Sequence, residues 1–277
     1  MKSWGSQSMS LQNEIIAKLG VRPAIDVQVE IRRRVDFLKE YIVKANVEGL
    51  LIAISGGVDS AVTAGLCKLA TDELSQQTNK QFITLGVFQP YAEQEDIADS
   101  YAVGEALGLT NLVETNIGDL VDEAALEVEF SMKKIGLIRH MSRAGKGNVK
   151  ARMRMVLQYA LAFERNLLVV GTDHASEALT GFFTKYGDGA VDITPLSTLN
   201  KRQVRMLAAQ LGVPQQVIEK APTAGLWPGQ TDESELGISY DDNCDYLEGK
   251  EIATDIREKL EKQYLRTEHK RLPIPGI

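Results

Sequence analysis

The sequence predicts a doubly wound α/β fold, a mostly parallel sheet flanked by helices. Two observations carry that prediction. Short, fully apolar runs alternate with segments of helical period, the pattern of strands buried on both faces by crossover helices. Two of the runs also end in polar turns, Leu50-Leu51-Ile52-Ala53-Ile54-Ser55-Gly56-Gly57-Val58-Asp59-Ser60 and Leu167-Leu168-Val169-Val170-Gly171-Thr172-Asp173-His174. In such sheets ligands sit at the carboxyl ends of the strands, so both turns can face one site. The chain has 277 residues, 44% apolar and 25% charged, enough for one large core.

Taken in order, residues 1–10 are polar, lack the apolar stretch of a signal peptide and are expected to be disordered. Residues 11–277 read as a single domain. Leu11 to Leu19 has helical spacing and stops at Gly20. Asp26 can cap a helix from Val27 to Asn46, on which Tyr41 reads as a half-buried packing aromatic. After the first polar turn, Val62, Leu66 and Leu69 take a helical period. Phe82 to Phe88 is a second strand, and the loop 89–96 starts a helix that Gly108 ends. Asn111 to Asn116 is a short third strand, and Leu120 to Ile138 looks helical.

Gly145-Lys-Gly-Asn148 reads as a break, followed by a helix from Val149 to Arg165. Lys150, Arg152 and Arg154 then fall in its first turns, where cations oppose the helix dipole and suggest an external anion; solvated side chains are the plain alternative. Met155 to Phe163 is nearly all apolar, as for a core or an interface. Leu167 to Val170 is the fourth strand. A glycine-interrupted loop covers 181–190, and Asn200 can cap a helix over 201–211. The Gly- and Pro-rich segment 222–233 reads as a lid. A last helix spans 251–266 and leads to a basic tail.

Net charge −7 and a pI near 5.2 argue against nucleic acid as the main partner. Cys67 and Cys244 form no metal or redox motif, and His140, His174 and His269 do not cluster, which disfavours structural zinc. No apolar run reaches membrane-spanning length, and a cytoplasmic location is expected.

The chemistry is concentrated in the first turn. Strand, glycine turn and helix start form an anion site, because the first backbone N–H groups of a helix lack partners and the dipole adds positive charge there. Gly56 and Gly57 let the backbone approach an anion, and Ser55 and Ser60 add hydroxyl donors. Asp59 is a carboxylate at an anion site. Mg²⁺ between Asp59 and phosphate oxygens resolves that conflict; a plain turn with Asp59 or Ser60 capping the helix is the alternative. There is no Walker A lysine, and Ala53 rules out a nucleophile elbow.

The S-G-G-V-D-S string at 55–60 resembles the pyrophosphate loop of the N-type ATP pyrophosphatases, a Rossmann-like group. Further strings narrow the resemblance: G-K-G-N-V-K-A-R at 145–152, G-T-D-H-A-S-E at 171–177, G-F-F-T-K-Y-G-D-G at 181–189, P-L-S-T-L-N-K-R-Q-V-R at 195–205, P-T-A-G-L-W-P-G-Q-T-D-E at 222–233 and E-H-K-R at 268–271. Together, from about residue 11 to the end, they resemble the ammonia-dependent NAD⁺ synthetases. That family adenylates the carboxylate of deamido-NAD⁺ with ATP, and ammonia then displaces AMP.

The resemblance implies ATP contacts at Ala53, Ile54, Ser55, Gly56, Gly57, Val58, Asp59, Ser60, Thr172, Lys201 and Thr223. It implies Mg²⁺ on Asp59 and Glu177, and deamido-NAD⁺ contacts at Arg152, Lys185, Asp192, His269 and Lys270. Asp188 is the candidate for holding ammonium and removing its proton. Asp59 and Lys201 join it as catalytic candidates, while Asp173 and His174 serve equally as turn formers. The resemblance also implies a homodimer. Ala53 stands where the family has glycine, Val58 where glutamine is common, and Gly86-Val87-Phe88 where an arginine is usual. Another ATP pyrophosphatase, such as a tRNA-modifying ligase or a GMP synthetase-like amidotransferase, is the enzymatic alternative; the acidic balance and absence of Cys-x-x-C disfavour it. A glutaminase domain would not fit this length. A non-catalytic nucleotide sensor would not need Lys185, Asp188 and the basic tail together.

Overall fold

Four apolar runs pair into one parallel sheet of order β3-β2-β1-β4: β1 Gly49–Ala53, β2 Ile83–Phe88, β3 Asn111–Glu114 and β4 Leu167–Val170. The computed structural model describes residues 10–94, 97–223 and 231–276. The expected disorder of the first residues and most of the 222–233 lid lie outside them.

Twelve helices are present among the described residues. In chain order they are α1 Leu11–Leu19, α2 Val27–Ala45, α3 Val58–Thr78, α4 Ile97–Ala106, α5 Gly118–Lys134, α6 Arg143–Glu164, α7 Ala175–Thr180, α8 Lys201–Gln210, α9 Gln215–Glu219, α10 Asp232–Leu236, α11 Tyr240–Leu247 and α12 Thr254–Arg266. Alternation along β1 shows why the sheet is covered twice. Leu50 and Ile52 point into a core shared with α2, α3 and α8, while Leu51 packs on the opposite face with Ala162 of α6. A separate apolar cluster joins Ile15, Leu179, Tyr246, Leu260 and Tyr264, and it seats the C-terminal helix beside α7.

One expected break is absent. The helix of residues 149–165 starts earlier, at Arg143, and runs straight through Gly145 and Gly147. Ser142 caps it, its Oγ accepting from Gly145 N–H at 3.0 Å. Lys150, Arg152 and Arg154 therefore stand in mid-helix, away from the N-terminal end where they would oppose the helix dipole. Only part of the apolar half is core: Tyr159, Leu161 and Ala162 pack against the sheet. Ala162 is buried, but Val156 and Phe163 are 51% and 85% exposed.

Gly181 ends α7 with φ +65°, and a Cβ there would lie 2.3 Å from Thr267 Cβ. Thr267 begins the tail that carries His269 and Lys270. Gly181→Ala combines backbone strain with overpacking, so a loss of about 2–4 kcal/mol is expected in denaturant unfolding.

Candidate active site

Strands β1 and β4 are parallel neighbours, with Ile52 opposite Val170, so the turns that follow them leave the sheet side by side. A cavity of about 440 Å³ opens there. The first turn lines it from Ala53 to Ser60, Gly56 excepted. Ser60 Oγ donates to Gly57 O at 3.0 Å and accepts from Ser55 N–H at 3.2 Å, which fixes the loop from within. No side chain caps α3, so Asp59 and Ser60 do not take the capping role, and its first-turn N–H groups remain for a ligand. Gly56 adopts φ +79°, and a Cβ there would come within 3.0 Å of Asp99 Cβ in α4. Only glycine fits that approach.

The second turn and the start of α8 surround Asp59. Lys201 is 2% exposed, and its Nζ donates to Asp59 Oδ2 at 2.6 Å. His174, fully buried, places Nε2 3.4 Å from Asp59 Oδ1 and 3.7 Å from Glu177 Oε2. Glu177 Oε2 also accepts from His174 N–H at 3.3 Å. One donor atom from each of Asp59, His174 and Glu177 lies within 4.8 Å of the others. Burial pushes the Asp59 carboxyl up, but the Lys201 ammonium and His174 outweigh it and hold it below the usual carboxylate range. Burial raises Glu177 to about 8. It also raises Asp173 well above its usual value, with Asp188 and Asp59 adding repulsion. Several carboxyl groups thus crowd a buried space with too little positive charge, an environment that suits a divalent cation.

Asp188, Thr172, Thr223, Glu177 and Lys270 also line the cavity. Asp188 Oδ1 accepts from Thr184 N–H at 2.8 Å. Neighbouring protein atoms push its carboxyl up although the side chain stands exposed at the rim, and the Thr184 bond, Lys270 and Arg154 pull against that. Lys270 Nζ donates to the carbonyls of Gly181 and Phe183, each at 2.7 Å. Arg152, Lys185 and His269 stand outside the cavity wall and form their own chain. Arg152 donates to Lys185 O at 3.2 Å, and Lys185 Nζ to His269 O at 2.8 Å. Asp192 is turned to the sheet, accepting from Val169 N–H at 2.7 Å and Tyr159 O–H at 3.2 Å.

With this geometry, likeness to known proteins is informative. A profile of the family described as NAD synthase matches residues 30–273. The chain belongs to the NAD synthase family. An NH(3)-dependent NAD(+) synthetase of Bacillus thuringiensis subsp. konkukian (strain 97-27) is 45% identical over 267 residues, 95% of this chain and 96% of that one. Two solved structures each share 34% identity at a TM-score of 0.81. One is an NAD⁺ synthetase from Burkholderia pseudomallei, with coverage of 97% and 100%. The other is an NMN synthetase from Francisella tularensis, with coverage of 92% and 99%.

The structure adds Gln89, Gln158 and Lys220 to this family site, and it brings Arg154, one of the three α6 cations read as suggesting an anion, into the cavity. Gln89, at the end of β2, accepts from Arg154 Nε at 3.1 Å through its carbonyl and from Gln158 at 2.7 Å through its side chain. All three line the cavity. A guanidinium therefore does stand at the end of β2, supplied by α6 and not by residues 86–88. Lys220 reaches Asp99 Oδ2 at 2.7 Å beside Gly56. Gln89, Gln158 and Lys220 depend on long-range packing, with no motif to announce them.

Proposed function

We propose that this chain forms NAD⁺ from deamido-NAD⁺, ATP and ammonia, releasing AMP and pyrophosphate. The observation that supports it is the convergence of the uncapped α3 loop, Asp59, Lys201 and Glu177 on the same cavity as Asp188 and Lys270. A free carboxylate is a poor acyl donor because it would have to expel oxide. One carboxylate oxygen therefore attacks the α-phosphorus of ATP, the bond from that phosphorus to the β-bridging oxygen breaks, and pyrophosphate leaves. Backbone N–H groups of residues 55–60 and the Lys201 ammonium meet the charge that builds on it. Ammonia then attacks the acyl carbon, AMP leaves with the original carboxylate oxygen, and Asp188 takes the surplus proton.

Asp59 and Glu177 would hold Mg²⁺, which when bound supplies positive charge against the phosphates. The buried Asp59 Oδ1 has only His174 Nε2 near it, 3.4 Å away and without good hydrogen-bond geometry, which fits a ligand role. Glu177 gives a pH test. In the folded, metal-free protein it titrates near 8 against an ordinary 4.5. The folded state thus binds the extra proton between those values, and stability falls as pH rises through that window. Relative to Glu177→Gln, the wild type is expected to lose thermal stability from pH 5 to pH 8. Mg²⁺ should raise its Tm more at pH 8 than at pH 6, measured by calorimetry.

A cavity of about 440 Å³ is of ordinary size for a ligand pocket, and ATP with the reacting end of the acid would occupy it. The distal half of a dinucleotide would then lie outside, along Arg152, Lys185 and His269. The exposed apolar side chains of α5 (Leu126 59%, Phe130 55%) and α6 (Val156, Phe163) suit a second copy of the chain. Phe163→Glu should lower the mass seen by light scattering from dimer to monomer; a wild type already monomeric would oppose the dimer.

The likeness to an NMN synthetase favours a second reading, amidation of the acid mononucleotide. That reading leaves Arg152, Lys185 and His269 without a ligand. Both acids should be offered separately with ATP, Mg²⁺ and ammonium, following NAD⁺, NMN and pyrophosphate. The dinucleotide is expected to turn over with the higher kcat/KM. Preference for the mononucleotide would select the second reading, and no amide from either would reject both.

A further inference from the structure

Resting on the proposed Asp59–Glu177 cation site, we infer that His174 Nε2 is a third ligand and that the site prefers Mn²⁺ to Mg²⁺. His174 is fully buried, and its Nε2 faces the equally buried Asp59 Oδ1 at 3.4 Å, an ion-pair distance at which neither atom makes a well-formed hydrogen bond. Buried polar atoms held in so long and poorly aligned a contact are only partly satisfied. Two such atoms facing each other, with Glu177 Oε2 only 3.7 Å from the ring nitrogen, are both relieved by one cation between them. Donors at about 2.1 Å from a cation lie roughly 3–4.2 Å apart. The present spread of up to 4.8 Å closes with small side-chain shifts.

Lys201 leaves this space open. It bonds Oδ2 of Asp59, the oxygen turned from His174. The backbone holds the imidazole in place, since His174 precedes α7 directly and Glu177 is its first-turn acid. Two carboxylates with one imidazole are a harder-to-borderline donor set. Mg²⁺ favours all-oxygen ligation and retains its waters, whereas first-row transition ions accept imidazole readily. The chain therefore builds more than the two-carboxylate site that Mg²⁺ needs.

The test uses the full-length chain and Mn²⁺ alone, read by electron spin-echo envelope modulation. Bound Mn²⁺ is expected to show ¹⁴N coupling, converted to a ¹⁵N pattern by ¹⁵N-histidine labelling. Asp59→Asn should release the ion, locating it. His174→Gln should abolish the coupling and weaken Mn²⁺ by about tenfold or more, with Mg²⁺ affinity changed less than about threefold. Mn²⁺ that Asp59→Asn releases but that shows no nitrogen coupling would overturn the inference and leave the two-carboxylate site standing; His174 would then only orient Asp59. Absence of any Asp59-dependent Mn²⁺ would overturn both. The wild-type spectrum decides the point even if the His174 variant does not fold.

Discussion

Asp59→Asn is expected to reduce amide formation by about a thousandfold or more while the chain still folds. The change keeps the shape of the side chain but removes its charge. It takes away the cation-holding carboxylate and unsettles Lys201, whose Nζ it engages at 2.6 Å. Loss of one preorganised charge-stabilising group commonly costs 10²–10³ in rate, and here a cation is lost with it. Lys201 is left as a buried ammonium bonded to a neutral amide. Unfolding free energy should therefore fall by about 3 kcal/mol. Circular dichroism of the native state should be unchanged. Near-normal turnover would remove Asp59 from the proposed machinery.

Lys201→Met is expected to separate cation binding from turnover. The ammonium balances part of the Asp59 charge. Without it the buried carboxylates are less compensated, so affinity for Mg²⁺ should rise, by calorimetric titration. Turnover should nevertheless fall by about a hundredfold or more, because Lys201 lines the cavity beside the loop and would meet phosphate charge there. A variant with weaker Mg²⁺ binding and normal kcat would contradict both halves of this assignment.

Much of this was legible in the chain because it is local. Strand β1, the Ser55–Ser60 turn and the start of α3 are contiguous, and each follows from a run of residue types. The side-by-side position of Asp59 and Glu177 was legible one level up, from parallel strands ending in polar turns. The start of α6 was not. Gly145 and Gly147 are poor helix residues, and a Ser142 cap and the burial of Gly147 override their propensity. Arg154 and Gln158 reach the cavity only because α6 extends across the end of β2. His174 looked equally suited to forming a turn, and its poorly paired nitrogen becomes visible only once α3 and α7 are brought together. Asp192, implied as a substrate contact, is bonded to Val169 and Tyr159 at the sheet; that contact is set by tertiary pairing and leaves no trace in spacing.

The central claim is that the loop after β1 serves transfer of the adenylyl group to a carboxylate. Deamido-NAD⁺ labelled with ¹⁸O in its nicotinate carboxylate tests it most directly, with ATP, Mg²⁺ and ammonium present and products read by mass spectrometry. One ¹⁸O should appear in AMP for each NAD⁺ formed, with none in pyrophosphate. Label in inorganic phosphate together with ADP, or unlabelled AMP beside labelled water, would contradict the account.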